Sequence, residues 1–272
     1  MASAAARGRL AVVVAFSPLA EAVRQVGGRH VRVSDLTPAG VEPHDLELTT
    51  DDVDAILDAD LAVVMGHDFQ PAVEHSADDR DGPTLTVLDH VRPRGRTKDP
   101  HVWLDPVRYR AIVDAVAKQL ARVDPAHRSD YEANAARFDQ QLSVLDAAYA
   151  RGLADCTSRI VLTAHEAFGY LARRYHLEPH GIAGIDPDAE PDPDTLATLA
   201  DLARREGVTT VFTETLVSPK VARTLAREAG GLRTVVLDPL EGLSQERIDA
   251  GDDYLTVMRR NLAKLRTALR CT

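Results

Sequence analysis

Leu10-Ala11-Val12-Val13-Val14-Ala15-Phe16, followed at once by Ser17-Pro18, decides the fold. An apolar run of strand length with no polar alternation has no solvent face. It belongs in a sheet covered on both sides, which is the environment of a parallel strand. Ser17 suits an N-cap and Pro18 a first helical turn, and Gly27-Gly28 ends that helix. The same alternation then recurs. Strands are expected at His30 to Val33, Leu61 to Met65 and Thr84 to Leu88. Thr49 or Thr50 caps a helix whose first turn holds Asp51 and Asp52, acids placed at the positive end of the dipole. Strand alternating with helix implies a parallel sheet with helices on both faces.

The second half repeats the pattern, with strands at Arg159 to Thr163, Gly181 to Ile185, Thr209 to Phe212 and Thr234 to Leu237. Helices are expected at Ala167 to Tyr175, Asp194 to Glu206, Ser218 to Ala229 and from Asp253 to the C-terminus. Between the halves, Pro106 to Val123 reads as a helix and Asp124-Pro125 interrupts it. From Ala126 to about Ala154 runs a longer helical pattern, with Tyr131, Ala135, Phe138, Leu142, Leu145 and Tyr149 three or four residues apart. At 1.5 Å per residue such a helix is about 40 Å long, more than one crossover needs, and reads as a rigid strut. The fold class is therefore α/β, with two similar α/β lobes on parallel sheets joined by one long helix. The expected boundaries are 1–125, 126–154 and 155–272. Asp68 to Lys98 is less regular; Asp78, Asp79, Arg80, Asp81 and Gly82, then Arg92 to Lys98, read as exposed loop.

Bulk properties narrow the function. Of 272 residues, 42 are acidic and 32 basic, a net charge of -10. That argues against nucleic acid, whose phosphates are neutralised by Lys and Arg, and mildly favours a cation. No apolar run approaches the roughly 18 residues of a membrane span. The N-terminus shows no charged segment leading into a long apolar one, so no intact signal peptide is visible. The two cysteines, Cys156 and Cys271, allow one disulfide; a free thiol at an exposed tail is the alternative.

Ligands of open α/β sheets gather beyond the carboxyl ends of strands. Polar residues there are His44, in Gly40-Val41-Glu42-Pro43-His44-Asp45, and His67 after the third strand. His101 stands in Asp99-Pro100-His101-Val102-Trp103-Leu104-Asp105-Pro106, a proline-bracketed junction that holds the only Trp. In the second half they are His165, Glu214 and Asp238, the last stiffened by Pro239. His44, His101, His165 and Asp238 together make three imidazoles and one carboxylate, a set that suits zinc. No short metal motif such as HExxH or CxxC is present. His30, His127, His176 and His180 have no such placement and read as surface or packing residues.

Glu42-Pro43-His44, Asp99 to Pro106, Ala164-His165-Glu166-Ala167-Phe168-Gly169-Tyr170 and Leu237-Asp238-Pro239 resemble the motifs of the cluster A-I metal-binding proteins, the solute-binding components of zinc and manganese ABC transporters. Supporting stretches are Glu190-Pro191-Asp192-Pro193, Phe212-Thr213-Glu214 with Ser218-Pro219-Lys220, and Tyr254, Met258, Asn261 and Leu262. The resemblance implies two α/β lobes joined by one long helix, with a metal in the interlobe cleft. It implies His44, His101, His165 and Asp238 as ligands and Zn(II) as the ion. Manganese members carry Glu at the third position; His165 there favours zinc, while Glu166 follows it directly. Glu42 and Glu214 are candidates to orient the ligand imidazoles through their free N–H groups, with an ordinary surface ion pair as the alternative. His67 is a candidate for the cleft mouth. The His-rich loop of many zinc members is reduced here to His75 and His90.

The implied function is extracytoplasmic capture of zinc, as a monomer, for an ABC permease with its ATPase, without catalysis. The alternatives are a manganese or iron carrier of the same architecture and a zinc hydrolase. No lipobox is visible.

Overall fold

The computed structural model describes residues 8–91, 93, 99–189 and 191–272. Of the exposed loop expected at Arg92 to Lys98, all but Pro93 lie outside the described residues, as does Glu190. The chain divides into two compact units. Unit 1 comprises Met1–Pro100, Val107–Leu142 and Glu241–Glu246; unit 2 comprises His101–Pro106, Ser143–Leu240 and Arg247–Thr272.

In unit 1 the apolar run forms β1 (Leu10–Val14), buried on both faces in the middle of a parallel sheet. It pairs with β2 (Val31–Asp35) on one side and β3 (Leu61–Val64) on the other, and β4 (Thr84–Thr86) follows β3, giving the order β2-β1-β3-β4. The helices are α1 (Ser17–Gly27), α2 (Thr50–Asp58), α3 (Pro71–Asp78), α4 (Val87–His90) and α5 (Pro106–Val123). At α2 the Thr49 hydroxyl accepts the Asp52 N–H at 3.2 Å, and Asp52 Oδ2 accepts the Thr49 N–H at 2.9 Å. This reciprocal pair satisfies donors that a helix start leaves open. The long pattern is α6 (Arg128–Gly152), 25 residues, with Tyr131, Phe138, Leu142, Leu145 and Tyr149 all buried. Its first turns belong to unit 1 and its later ones to unit 2.

Unit 2 repeats the topology. Its strands β5 (Ile160–Thr163), β6 (Glu178–Gly181), β7 (Thr210–Thr213) and β8 (Arg233–Val236) are parallel in the order β6-β5-β7-β8. Around them stand α7 (Gly169–Arg174), α8 (Pro193–Arg205), α9 (Lys220–Glu228), α10 (Gln245–Asp249) and α11 (Tyr254–Leu269). Leu162, Val211, Leu199, Ala203 and Leu225 pack at the centre. The disulfide Cys156–Cys271 spans 115 residues and ties the end of α11 back to the segment after α6. Among the described residues no helix is long and apolar enough to cross a membrane.

Three expectations are corrected. The strand expected at Gly181 to Ile185 is Glu178–Gly181, because Ile160 pairs with Glu178 and Thr163 with Gly181. The apolar Ile182 and Ala183 are buried just beyond its end, where their N–H groups reach the Thr163 and Ala164 carbonyls at 2.9 and 2.8 Å. The strand proper is a polar edge, where Pro179 is tolerated. Likewise Arg80 is no exposed loop residue but is buried. Its guanidinium donates to the carbonyls of Ile56 (2.9 Å), Ala59 and Pro83. Buried carbonyls need donors, and one guanidinium brings five. The preceding residues Pro71–Asp78, expected to be irregular, form α3.

Asp35 ends β2, and burial pushes its carboxyl up to about 7, against the opposing Thr37 N–H and the Arg24 charge. Below about pH 3.8 the folded and unfolded chains are both protonated there and stability is unaffected. As pH rises towards 7, only the unfolded chain ionises freely, so folding loses stability, and the cost is complete above the folded value. Asp35→Asn should therefore raise Tm by several degrees at pH 8 and scarcely at pH 4, on the order of a few kcal/mol. Equal gains at both pH values in thermal scans would contradict this. Removing the disulfide with Cys156→Ser and Cys271→Ser should cost roughly 2–4 kcal/mol in denaturant unfolding; an unchanged midpoint would contradict it.

Candidate metal centre

In unit 2 the chain leaves β5 for β6 on one side, then crosses to β7 on the other. The gap beyond β5 and β7 is therefore a topological switch point. His165 stands two residues after β5 and Glu214 directly after β7. Both are buried. Glu214 Oε1 accepts the His165 main-chain N–H at 3.2 Å, and Oε2 lies 2.7 Å from His165 Nδ1. A carboxylate at that distance favours a proton on Nδ1 and leaves Nε2 as the side of the ring that can face a metal. Thr163 Oγ1 donates to the His165 carbonyl at 2.7 Å, fixing the backbone as well.

His101 is fully buried and precedes a 3-10 turn, Val102–Leu104. This loop is held by its aromatic residue. Trp103 Nε1 donates to the Pro239 carbonyl at 2.8 Å, and the Tyr254 hydroxyl donates to the Trp103 carbonyl at 2.7 Å. So anchored, His101 presents Nε2 at 3.4 Å from His165 Nε2. Two imidazole nitrogens on a tetrahedral zinc, each about 2.0–2.1 Å from the ion, stand about 3.3–3.4 Å apart.

In unit 1, His44 lies in a 3-10 turn, Pro43–Asp45, whose preceding Glu42 accepts the His44 main-chain N–H at 3.3 Å. The His44 ring meets Phe69 edge-on at 4.7 Å, and Phe69 packs on Phe16 at 5.1 Å. Phe16 follows β1 and Phe69 follows β3, so the apolar residues beyond the switch point of this sheet seat the imidazole. The carboxylate beside His44 is Glu241: Oε1 lies 3.7 Å from His44 Nε2, and the residue is buried. The Gly40 N–H donates to the Leu243 carbonyl at 3.1 Å, holding the segment of Glu241 to the loop of His44.

Asp238 follows β8 and is buried, but it is engaged otherwise. Its Oδ2 pairs with Arg247, its Oδ1 accepts the Leu240 N–H at 2.8 Å, and Asn261 bonds its backbone on both sides at 3.1 and 2.7 Å. Glu241 is absent from the set that the sequence motifs imply. The available signal was an acid inside the otherwise apolar Leu240-Glu241-Gly242-Leu243, where a buried charge must have a reason.

Glu166 is exposed and opens a short turn, its N–H on the Gly184 carbonyl at 2.9 Å. His67 is in the left-handed region (φ 63) and stands 3.3 Å from Asp89 in solvent. His30 and His127 stack at 3.9 Å, each with its own aspartate, Asp130 and Asp124. They pack the start of α6 onto the turn before β2.

The chain matches, over residues 12–268, the family described as ZnuA, zinc-uptake complex component A, periplasmic. It is 35% identical to the zinc-binding protein AdcA of Streptococcus pyogenes serotype M3 over 96% of its own length. It spans only 56% of AdcA, about half of that relative. The high-affinity zinc uptake system protein ZnuA of Bacillus subtilis is 35% identical over 96% of this chain and 88% of that protein. The crystal structure of the Zn(II)-bound ZnuA-like domain of Streptococcus pneumoniae AdcA has 36% identity and a TM-score of 0.83. It covers 96% of this chain and 99% of that one.

The Glu214 contact makes a spectroscopic prediction. Nitrogen-15 shifts of His165 at pH 7.5 should report the Nδ1–H tautomer, and Glu214→Leu should abolish that preference. An Nε2–H tautomer in the unaltered protein would refute the arrangement.

Proposed function

Because the chain belongs to the ZnuA family of periplasmic zinc-uptake components, we propose that it captures a single zinc ion outside the cytoplasm and hands it to an ABC permease with its ATPase. The ligands are His44, His101, His165 and Glu241. Each offers one imidazole nitrogen or carboxylate oxygen. The observation that carries this reading is the 3.4 Å separation of the His101 and His165 Nε2 atoms. A cation coordinated by both nitrogens turns that close approach into binding. Their spacing is that of a tetrahedral zinc edge.

Three imidazoles favour zinc over manganese, which prefers oxygen donors. Glu241 replaces Asp238 in the ligand set expected from the motifs. Asp238 is held by Arg247 and Leu240, whereas Glu241 lies against a ligand imidazole. Four protein donors fill a tetrahedron, and no position is left for the activated water of a zinc hydrolase. The family is a metal-binding transport component, and the reading for this chain is a monomeric carrier without turnover.

Protein stripped of metal should take up one zinc per chain in competition with a chromophoric chelator. Glu241→Ala should weaken binding at least a hundredfold. Asp238→Asn keeps the Leu240 contact and should cost about tenfold or less. The reverse order would return the fourth ligand to Asp238. Zinc at about 100 times its Kd should add roughly 2.7 kcal/mol of stability to the native chain.

A further inference from the structure

Between β8 and α11 the chain makes a short loop whose base is stapled. Glu241–Glu246 belong with unit 1, while Leu240 before them and Arg247 after them belong with unit 2. The residues at the two feet are joined: Arg247 pairs with Asp238 Oδ2. Arg247 is itself fixed from behind, its Nε donating to the buried Asp252 at 2.8 Å. Asp238 cannot drift, because Asn261 on α11 bonds its N–H and its carbonyl. Asp238 also caps Leu240, a non-glycine residue in the left-handed region (φ 63). A left-handed leucine is strained and persists only where its surroundings impose it. The residue after that imposed turn is Glu241.

We propose that Asp238 and Arg247 are positioning residues for zinc: their ion pair closes the loop base and imposes the left-handed turn at Leu240, so that Glu241 is held ready as a ligand rather than ordered at the moment of binding. This rests on Glu241 being the fourth ligand. Asp238, the acid that the sequence motif offers as a ligand, thus acts through its neighbour. A pre-ordered donor contributes mainly to retention, since zinc leaves only as its donors let go, and a carboxylate on a free loop lets go more often. The staple therefore governs how long zinc stays, and so how readily it is surrendered.

The test uses the full zinc-loaded chain. Asp238→Asn and Arg247→Gln are made together, so that no buried charge is left without its partner and the fold is kept. The asparagine still accepts the Leu240 N–H. Zinc dissociation, followed into excess chelator, should speed up about tenfold, with association nearly unchanged. Hydrogen exchange should quicken at Glu241–Glu246 and not in β5 or β7. The same pair of changes is then made in a Glu241→Ala background, where they should cost less than twofold, because the staple has no ligand left to hold. An unchanged dissociation rate, or an equal factor in both backgrounds, would overturn the proposal. Should Glu241→Ala alone leave affinity untouched, the ligand assignment fails, and that result is distinct from either of the others. If the paired variant does not fold, Leu240→Gly serves instead. It relieves the left-handed turn with the ion pair intact, and it should also quicken zinc loss and exchange at Glu241–Glu246; no change in either would overturn the proposal.

Discussion

A buried imidazole serves a cation through one nitrogen while the other is held, and at His165 the Glu214 carboxylate stands 2.7 Å from Nδ1. That contact needs two residues distant in sequence to stand side by side. They do because β5 and β7 are neighbours in a parallel sheet whose order changes direction between them. Burying a carboxylate is costly unless its oxygens are used. Glu214 accepts the His165 main-chain N–H with Oε1, and its Oε2 stands 2.7 Å from the ring Nδ1. The same contacts that make the acid tolerable inside the protein orient the imidazole.

The other two imidazoles are held by other means. His101 stands on a loop anchored through Trp103, whose indole N–H reaches Pro239 and whose carbonyl receives Tyr254. Tyr254 opens α11, and Asn261 on the same helix holds Asp238. The last helix therefore organises both loops, and the Cys156–Cys271 disulfide ties down its far end. His44, in the turn held by Glu42, is seated by Phe69 and Phe16. Rigid loops on buried aromatic anchors cost little to order when a ligand arrives, because they are ordered already.

Much of this could be read in the chain. Continuous apolar runs alternating with capped helices specify parallel α/β units, and the unbroken pattern through Tyr131, Phe138, Leu142, Leu145 and Tyr149 specifies α6 within two residues at each end. Periodicity reports burial, however, and not pairing. It therefore placed the strand after Leu177 on Ile182 and Ala183, which are buried, rather than on the polar edge that carries the hydrogen bonds. Arg80 misleads for a related reason: a charged residue among acids and glycine looks solvated in the sequence, yet three carbonyls converge on it in the fold.

What the sequence determined by itself is the class of fold, the alternation that builds two sheets, and the short list of histidines that stand at strand ends. These follow from local rules: which side chains must leave water, and which residues start and stop helices. The tertiary structure alone decided which acid stands with His44 and which with Arg247. Asp238 and Glu241 are three residues apart on one turn and equally acidic on paper. Their roles separate only because Leu240 takes a left-handed conformation and Arg247 returns to the same place. A turn of that kind costs energy locally and is imposed from outside, so no local rule could have announced it.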